Sequence, residues 1–192
     1  MIFPSGRAVA ALLAVWALAA GCTVVLKPAE WSPLSCSLLA DLSAEAGLPP
    51  GVFNVVQGIG EEVGAALVRH PRLRRVSFTG APEAGRSIAA AAAANLVPFT
   101  GEMGGKGPFL VFADCDLEKT VPGVARSAFL NQGQICLCGS RILVERSIHD
   151  RFVDALLEEL KGWKVGDPSD PATRIGAGIS AAHRDKVESY LK

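Results

Sequence analysis

Short apolar runs alternate with longer segments whose apolar residues recur at helical spacing along most of the chain. The short runs predict strands, and the periodic segments predict helices. The predicted strands are Thr23–Leu26, Phe53–Val56, Val76–Phe78, Leu96–Phe99, Phe109–Phe112 and Ile142–Val144. The predicted helices are Ala8–Ala20, Pro33–Ala46, Glu62–Arg69, Pro82–Asn95, Leu117–Phe129, Ile148–Trp163 and Ala181–Leu191. Such alternation predicts the α/β class, with a parallel sheet covered by helices on both faces.

The density of predicted strands divides the chain into two parts. Residues 1–101 alternate strand and helix closely, which predicts one Rossmann-like, nucleotide-binding layer structure. Residues 102–192 have fewer strands and predict part of a second α/β domain. Ser32 is the predicted N-cap of the Pro33–Ala46 helix, and Gly47 its first residue beyond the C-cap. The Ile148–Trp163 helix is predicted to turn one apolar face to the core, formed by Phe152, Leu156, Leu157 and Leu160.

The N-terminal apolar run has two interpretations. Ala8–Ala20 follows Arg7 and precedes Gly21-Cys22, a pattern that resembles a secretory or lipoprotein signal. The run is too short to span a bilayer as a helix. A predicted buried strand follows Cys22 at once, with no polar linker. The favoured interpretation is therefore a core helix of a cytoplasmic protein, and export with an anchor at Cys22 is the alternative.

The charge balance and the cysteine content limit the ligands and partners that we expect for this chain. The 19 basic and 19 acidic residues give no net charge, so there is no basic excess of the kind that nucleic-acid-binding proteins show. The five cysteines are odd in number, and their spacing fits no zinc or disulfide framework. The three histidines are isolated from one another. We expect a reducing compartment, no metal, no membrane and no nucleic acid partner.

Two glycine-containing segments join a predicted strand to a predicted helix. Gly58 and Gly60 lie in the first, in a GxGxxxG spacing, and Gly80 and Gly85 bound the second, in a GxxxxG spacing. Glycines allow the backbone to approach a phosphate, and a helix N-terminus offers free N–H groups to it. The first spacing departs from GxGxxG, so an ordinary strand–turn–helix connection explains it equally well.

A candidate nucleophile and a candidate base lie further along the chain. Cys136 follows Asn131-Gln-Gly-Gln-Ile and precedes a predicted strand, so its thiol lies on a loop that a ligand can reach. Glu102 is the carboxylate of a glycine-rich turn, Gly101-Glu-Met-Gly-Gly-Lys-Gly-Pro108. Together they suit covalent catalysis followed by general-base deacylation. An inert buried thiol is the alternative for Cys136, and Cys138 is the weaker candidate.

These two segments, with Lys27-Pro-Ala-Glu30 and Phe78-Thr-Gly80, resemble the aldehyde dehydrogenase superfamily in the family's order. The resemblance implies an NAD-dependent enzyme in which Cys136 attacks a small aldehyde and forms a thiohemiacetal, then a thioester. It implies that Glu102 activates the hydrolytic water. Lys27 and Glu30 would bind the adenosine ribose, and Glu30 would repel a 2′-phosphate, which favours NAD over NADP. The GxxxxG turn would hold the dinucleotide at Gly80, Ala81 and Gly85.

The sequence departs from the family pattern at several places. Ala81 stands where serine is frequent, and Ile2 stands where the family's asparagine supplies a second oxyanion donor. Full-length members are much longer, and the downstream nicotinamide-ribose and oligomerisation segments are not in this sequence. We therefore expect a partial aldehyde-dehydrogenase fold. The alternative function is a catalytically incompetent remnant that binds nucleotide weakly or associates with full-length subunits. The Cys-Leu-Cys loop and Lys164–Pro171 resemble most the muconic semialdehyde branch, which implies that substrate class.

Overall fold

The computed structural model describes residues 14–191, and within them the chain is α/β. Helix α1 is described over residues 14–19. The strands are β1 Val24–Leu26, β2 Phe53–Val55, β3 Val76–Gly80, β4 Phe99–Met103, β5 Pro108–Val111 and β6 Arg141–Val144. The further α-helices are α2 Leu34–Glu45, α3 Ala65–Val68, α4 Pro82–Ala94, α5 Leu117–Phe129, α6 His149–Lys161 and α7 Ala181–Glu188. A π turn, Gly60–Gly64, leads into α3, and 3-10 turns occupy Leu130–Gly133 and Arg146–Ile148.

The strands pair in parallel as β1 with β2, β3 with β4, and β5 with β6. Parallel neighbours need a crossover connection, and here a helix supplies it each time, so the repeated motif is βαβ. The prediction of a single sheet up to residue 101 was wrong for the described residues, where β1–β2 and β3–β4 are separate sheets. The physical reason is that each crossover pairs only its own two strands, and no described strand bridges one pair to the next.

The chain divides into two compact units, residues 1–104 and 105–192. In the first, Val68, Val76 and Ala92 form a buried cluster of apolar side chains from α3, β3 and α4. In the second, the buried cluster comes from β5, α5, the 3-10 turn Arg146–Ile148 and α6, and its members are Val111, Val121, Val124, Ile148 and Phe152. Phe152 is 1% exposed and is among the largest fully buried side chains described. Burial of such a side chain contributes roughly 1.5–3 kcal/mol.

The predicted core face of α6 is confirmed at Phe152 and Leu156, and Leu160 is half-buried. Leu156 packs against the Phe152 cluster, whereas Leu157 is 56% exposed. Successive residues of an α-helix are about 100° apart, so Leu157 lies off the stripe that Phe152 and Leu156 share. The prediction that Leu157 belongs to the core face was wrong for this reason.

At the ends of α2, the predicted residue beyond the C-cap is confirmed and the predicted N-cap is wrong. Gly47 follows α2 with a φ of 87°, and the N–H of Leu48 bonds the carbonyl of Ser43 at 3.0 Å, a Schellman closure. The Asp116 carboxylate accepts the N–H groups of Glu118 and Lys119 and caps α5. Ser32 is not the cap of α2, because the helix begins after Pro33 without any side-chain cap.

Strand β4 begins later than predicted. Leu96, the predicted start, has a φ of 54° and is 93% exposed, because it lies in the left-handed turn that ends α4. The strand therefore runs over Phe99–Met103 and contains Glu102, which pairs with Thr79 of β3. The expectation that Glu102 stands in a turn was wrong, and this carboxylate belongs to the carboxyl end of a strand.

The described part of the N-terminal apolar run is helical but only partly buried. Ala14 is 5% exposed, whereas Val15 is 55% and Trp16 is 71% exposed. Trp16 lies about 200° around the helix from Ala14 and so on its opposite side, which is why the predicted core packing fails at this position. Residues 1–13, with Ile2 and the Phe3-Pro4 pair, lie outside the described residues. None of the helices in residues 14–191 has the length and apolar character that crossing a membrane needs.

Candidate active site

Cys136 lies in a tight turn between α5 and β6. The chain leaves α5 through three consecutive left-handed residues, Asn131, Gln132 and Gly133, with φ values of 54°, 57° and 70°. Left-handed backbone is uncommon for residues other than glycine and costs free energy at Asn131 and Gln132. Two main-chain hydrogen bonds close the segment: the N–H of Gln134 bonds the Asn131 carbonyl at 3.0 Å, and that of Cys138 bonds the Ile135 carbonyl at 2.9 Å. We call residues 131–138 the cysteine turn.

The cysteine turn is anchored to its unit just after Cys138. The N–H of Gly139 donates to the carbonyl of Ser127 at 3.2 Å and to its Oγ at 3.3 Å. The N–H of Arg141 donates to the carbonyl of Gly107 at 3.2 Å. Gly139 is buried, and a Cβ there would lie 3.2 Å from the Phe109 side chain. A side chain at position 139 would require Phe109 or Ser127 to shift, and the main-chain hydrogen bonds of Gly139 and Arg141 hold the end of the turn.

The two thiols of the turn are in opposite environments. Cys136 is exposed, whereas Cys138 is 4% exposed and belongs to the buried set. Among the residues that the structure describes, the N–H of Cys136 donates no hydrogen bond. A thiol that solutes can reach, beside a free backbone donor, is an arrangement suited to attack on a carbonyl group and to stabilisation of the resulting oxyanion.

Glu102 lies in the unit of residues 1–104, and Cys136 lies in the other unit. The Glu102 side chain is exposed at the carboxyl end of β4. Within residues 14–191 its carboxylate has neither an ion pair nor a hydrogen bond, so both oxygens are available to accept a proton from water.

Lys27 joins the segments that follow β1 and β2. Its Nζ donates to the carbonyl of Pro28 at 2.7 Å and to the carbonyl of Gly58 at 2.8 Å, and it lies 3.5 Å from Oε2 of Glu30. An ammonium group has three N–H donors, and here three protein oxygens surround it. The Lys27 side chain is 15% exposed and that of Glu30 is 44% exposed, so the carboxylate is the more accessible of the two.

Beside this lysine lies an open depression of about 430 Å³, which we call the Glu30 groove. Its lining residues come from the loops after β1 and β2 and from α2: Glu30, Pro33, Leu34, Ser37, Gln57, Gly58 and Ile59. Gln57 Nε2 donates to Ser37 Oγ at 2.8 Å across one side. Gly58 has a φ of 140°, which only glycine adopts readily, and Gly60 opens the π turn that follows. The groove combines apolar walls with one accessible carboxylate.

The GxxxxG segment forms the start of α4. Gly80 ends β3, Ala81 is the N-cap residue without a side-chain hydrogen bond, and Gly85 is buried in the first turns of the helix. Pro82 has no N–H, and the N–H of Gly85 already bonds the Ala81 carbonyl at 3.0 Å. The N–H groups of residues 83 and 84 are therefore the orphan donors of this helix start. The Glu83 carboxylate in the same turn opposes an anion there.

A second depression, of about 280 Å³, borders the cysteine turn. We call it the Arg126 pocket, because Arg126 is the charged residue among its lining side chains, which are Arg126, Ser127, Leu130, Ile135, Leu137 and Cys138. The sequence analysis missed Arg126 and Ser127. Leu130 lies just beyond the end of α5 with non-helical backbone angles, so helical spacing does not connect it with Arg126 and no local pattern marked the pocket.

Within residues 14–191, no three His, Cys, Asp or Glu side chains lie where they could together hold a metal ion.

A fold of βαβ units with an exposed cysteine in a tight turn and free N–H groups at a helix start fits a nucleotide-linked enzyme that uses a covalent intermediate. Residues 4–192 match the aldehyde dehydrogenase family, and the chain belongs to this family. It is 46% identical over 176 residues to 2-aminomuconic semialdehyde dehydrogenase of Homo sapiens, covering 92% of this chain and 36% of that protein. The chain thus spans little more than a third of the length of such relatives.

Solved structures of similar proteins agree. The crystal structure of an NAD-dependent aldehyde dehydrogenase from Sinorhizobium meliloti aligns with a TM-score of 0.91 at 44% identity, over 93% of this chain and 35% of that one. Betaine aldehyde dehydrogenase from Staphylococcus aureus, solved in complex with NAD+, aligns with a TM-score of 0.87 at 42% identity, over 91% of this chain and 35% of that one. The α/β fold class and the family predicted from the sequence are confirmed.

Proposed function

We propose that this chain carries the reacting cysteine and part of the cofactor site of an NAD-dependent aldehyde dehydrogenase. The observation that carries the proposal is the contrast inside the cysteine turn, where Cys136 is exposed and Cys138 is buried. Family membership supports it, because relatives named for aldehyde oxidation align over nearly the whole chain.

In the proposed mechanism, the Cys136 thiolate attacks the carbonyl carbon of a small aldehyde. A sulfur–carbon bond forms, and the carbonyl oxygen becomes an oxyanion that the free N–H of Cys136 is available to bind. NAD+, when bound by the residues of the 1–104 unit, would supply the hydride acceptor for oxidation of the carbon that Cys136 holds, which would leave a thioester on Cys136. Glu102 then takes a proton from water, which attacks the thioester and releases a carboxylic acid and the Cys136 thiol.

The residues of the 1–104 unit suit NAD. In the Glu30 groove, the accessible carboxylate of Glu30 would accept both adenosine ribose hydroxyls and repel a 2′-phosphate. Gly58 and Gly60 shape the edge of this groove. Lys27 would hold Glu30 and Gly58 in place, since its donors are already directed to protein oxygens. The orphan donors at the start of α4, bounded by Gly80, Ala81 and Gly85, would receive the pyrophosphate, and the Glu83 carboxylate in the same turn would weaken this attraction.

The domain assignment follows from these roles. We assign residues 1–101 to a partial NAD-binding domain and residues 102–192 to a partial catalytic domain. The compact units of residues 1–104 and 105–192 support a boundary near this point. We further propose a muconic semialdehyde as substrate and a cytoplasmic location. The similarity to 2-aminomuconic semialdehyde dehydrogenase supports this substrate class.

Turnover by the purified chain tests this proposal. The chain is incubated with NAD+ and a muconic semialdehyde, and NADH is followed by its absorbance near 340 nm. We expect little or no NADH formation by this chain alone, and NADH formation that Cys136→Ser abolishes and Cys138→Ser leaves in place would support the proposed nucleophile. Measurement of NAD+ binding by calorimetry accompanies it. Binding without turnover would favour the alternative function, a non-catalytic nucleotide-binding chain, and activity that survives Cys136→Ser would rule out the proposed nucleophile.

A further inference from the structure

The Arg126 pocket is lined by both sequence neighbours of the reacting cysteine. Ile135 and Leu137, which directly precede and follow Cys136, both line it, together with the buried Cys138. The cysteine turn therefore forms one wall of the pocket, and Arg126, Ser127 and Leu130 form the other. The residues on either side of Cys136 thus border this depression of about 280 Å³, although Cys136 itself is not among its lining residues.

Charge distinguishes the pocket from an ordinary apolar depression. Arg126 lies in the last turn of α5, is exposed, and has no ion pair or hydrogen bond from its guanidinium to any residue in the described part of the chain. No carboxylate is among the lining residues, and the remaining walls are Ser127 and the apolar Leu130, Ile135 and Leu137. A guanidinium presents its N–H donors in a planar fork that matches a carboxylate. The pocket thus offers apolar contact and one unmatched positive charge.

We infer that Arg126 selects aldehydes that carry a carboxylate at their far end, which binds in the Arg126 pocket while the aldehyde reacts at Cys136. This inference rests on the proposed role of Cys136 and adds the group that determines substrate class. Aldehydes with a cationic end are disfavoured by the same charge. A position near the end of α5 also lets Arg126 interact with the helix dipole, but that role would not distinguish one aldehyde from another.

The first step of the reaction allows a test that needs neither cofactor nor turnover. The S–H of Cys136 adds across the aldehyde C=O: the sulfur–carbon bond forms, the carbonyl π bond breaks, and the thiol proton moves to the oxygen. No oxidation occurs and the addition is reversible. Aldehyde bound in this way protects Cys136 from alkylation by iodoacetamide, which mass spectrometry of the Cys136 peptide measures.

The matched aldehydes are 5-oxopentanoate and pentanal, which have equal chain length and differ in a terminal carboxylate. For the unmodified chain, we expect 5-oxopentanoate to give half-protection at about a fivefold lower concentration than pentanal, a gain typical of one partly exposed, charge-assisted contact. Arg126→Met should remove this preference, and Arg126→Lys should keep part of it. Arg151→Met, which removes an exposed charge on α6 of the same unit, should leave the preference unchanged.

The outcomes separate the two proposals. Equal protection by the two aldehydes in the unmodified chain, or a preference that persists in Arg126→Met, overturns the assignment of Arg126 while leaving the proposed nucleophile in place. Failure of both aldehydes to protect Cys136 contradicts the proposed function itself, and the Arg126 assignment falls with it. Circular dichroism of each variant checks its fold, and the Arg126→Lys chain keeps the test valid if Arg126→Met does not fold.

Discussion

A side chain holds the Glu30 groove together, whereas the main chain holds the cysteine turn. In the groove, Lys27 reaches a carbonyl 31 residues away and fixes the loop after β2 relative to β1. In the turn, backbone hydrogen bonds, left-handed residues and the buried Gly139 set the conformation. The two sites are therefore sensitive to different changes. Loss of one charge should disturb the groove, whereas a side chain added where the backbone is crowded should disturb the turn.

The largest expected effect is steric and falls on the cysteine turn. Gly139→Val should lower the free energy of unfolding by about 2 kcal/mol, because its Cβ would crowd Phe109 and the Ser127 Oγ. Chemical denaturation measures this change. The matched control is Gly178→Val, at an exposed glycine where a Cβ would meet nothing within 4 Å. Equal stability of the two variants would show that the turn is not anchored in this way.

The second-largest expected effect is the loss of the Lys27 contacts with Pro28, Gly58 and Glu30. Lys27→Met removes both hydrogen bonds to carbonyls and the contact with Glu30, so the loop bearing Gly58 is no longer held at the groove. We expect the Kd for NAD+ to rise about tenfold, which corresponds to ~1.4 kcal/mol. Calorimetry measures it, and Lys161→Met, at an exposed ion pair on α6, is the control. An unchanged Kd for NAD+ would mean that the contacts of Lys27 do not support cofactor binding.

The preference for NAD+ over NADP+ should depend on the charge of Glu30. Glu30→Gln removes the carboxylate charge and retains the size of the side chain, so repulsion of a 2′-phosphate should weaken. We expect the ratio of the Kd values for NADP+ and NAD+ to fall about fivefold, as suits one partly exposed charge. Titration of the same preparation with each nucleotide gives the ratio. A ratio that does not move would remove Glu30 from the ribose site.

The smallest expected effect concerns acid pH and a loop outside both sites. The Lys164 ammonium and the Ala172 N–H hold the pKa of Asp170 below its usual value. A lowered folded-state pKa means that the contribution of Asp170 is present above the unfolded pKa and is lost as the pH falls through the folded value. Asp170→Asn should therefore flatten the decline of Tm below about pH 4. If Tm falls as steeply with pH in the Asp170→Asn variant as in the parent chain, Asp170 does not contribute to the acid sensitivity of the fold.

Structural features that depend on neighbouring residues could be predicted from the sequence, whereas features that depend on distant contacts could not. Helix α5 was predicted with its bounds, because Asp116 and the apolar spacing both lie within the helix and its cap. The start of β4 was missed, because no residue type marks Leu96 as left-handed. The contact of Lys27 with Gly58 spans 31 residues, and no local pattern encodes it. Arg126 was missed because an arginine near a helix end is common, and only its place in a depression beside Cys136 distinguishes it.

The most direct test of the central claim compares the thiols under limiting iodoacetamide. Cys22 and Cys136 are both exposed, whereas Cys36 and Cys138 are buried and Cys115 is intermediate, so Cys22 is the internal control for exposure alone. If Cys136 is the nucleophile, its peptide should be labelled about tenfold faster than that of Cys22, because the surroundings of a catalytic cysteine make its thiol more reactive than exposure alone does. Equal rates at Cys136 and Cys22, or preferential labelling of Cys36 or Cys115 in the folded chain, would contradict the proposed catalytic role.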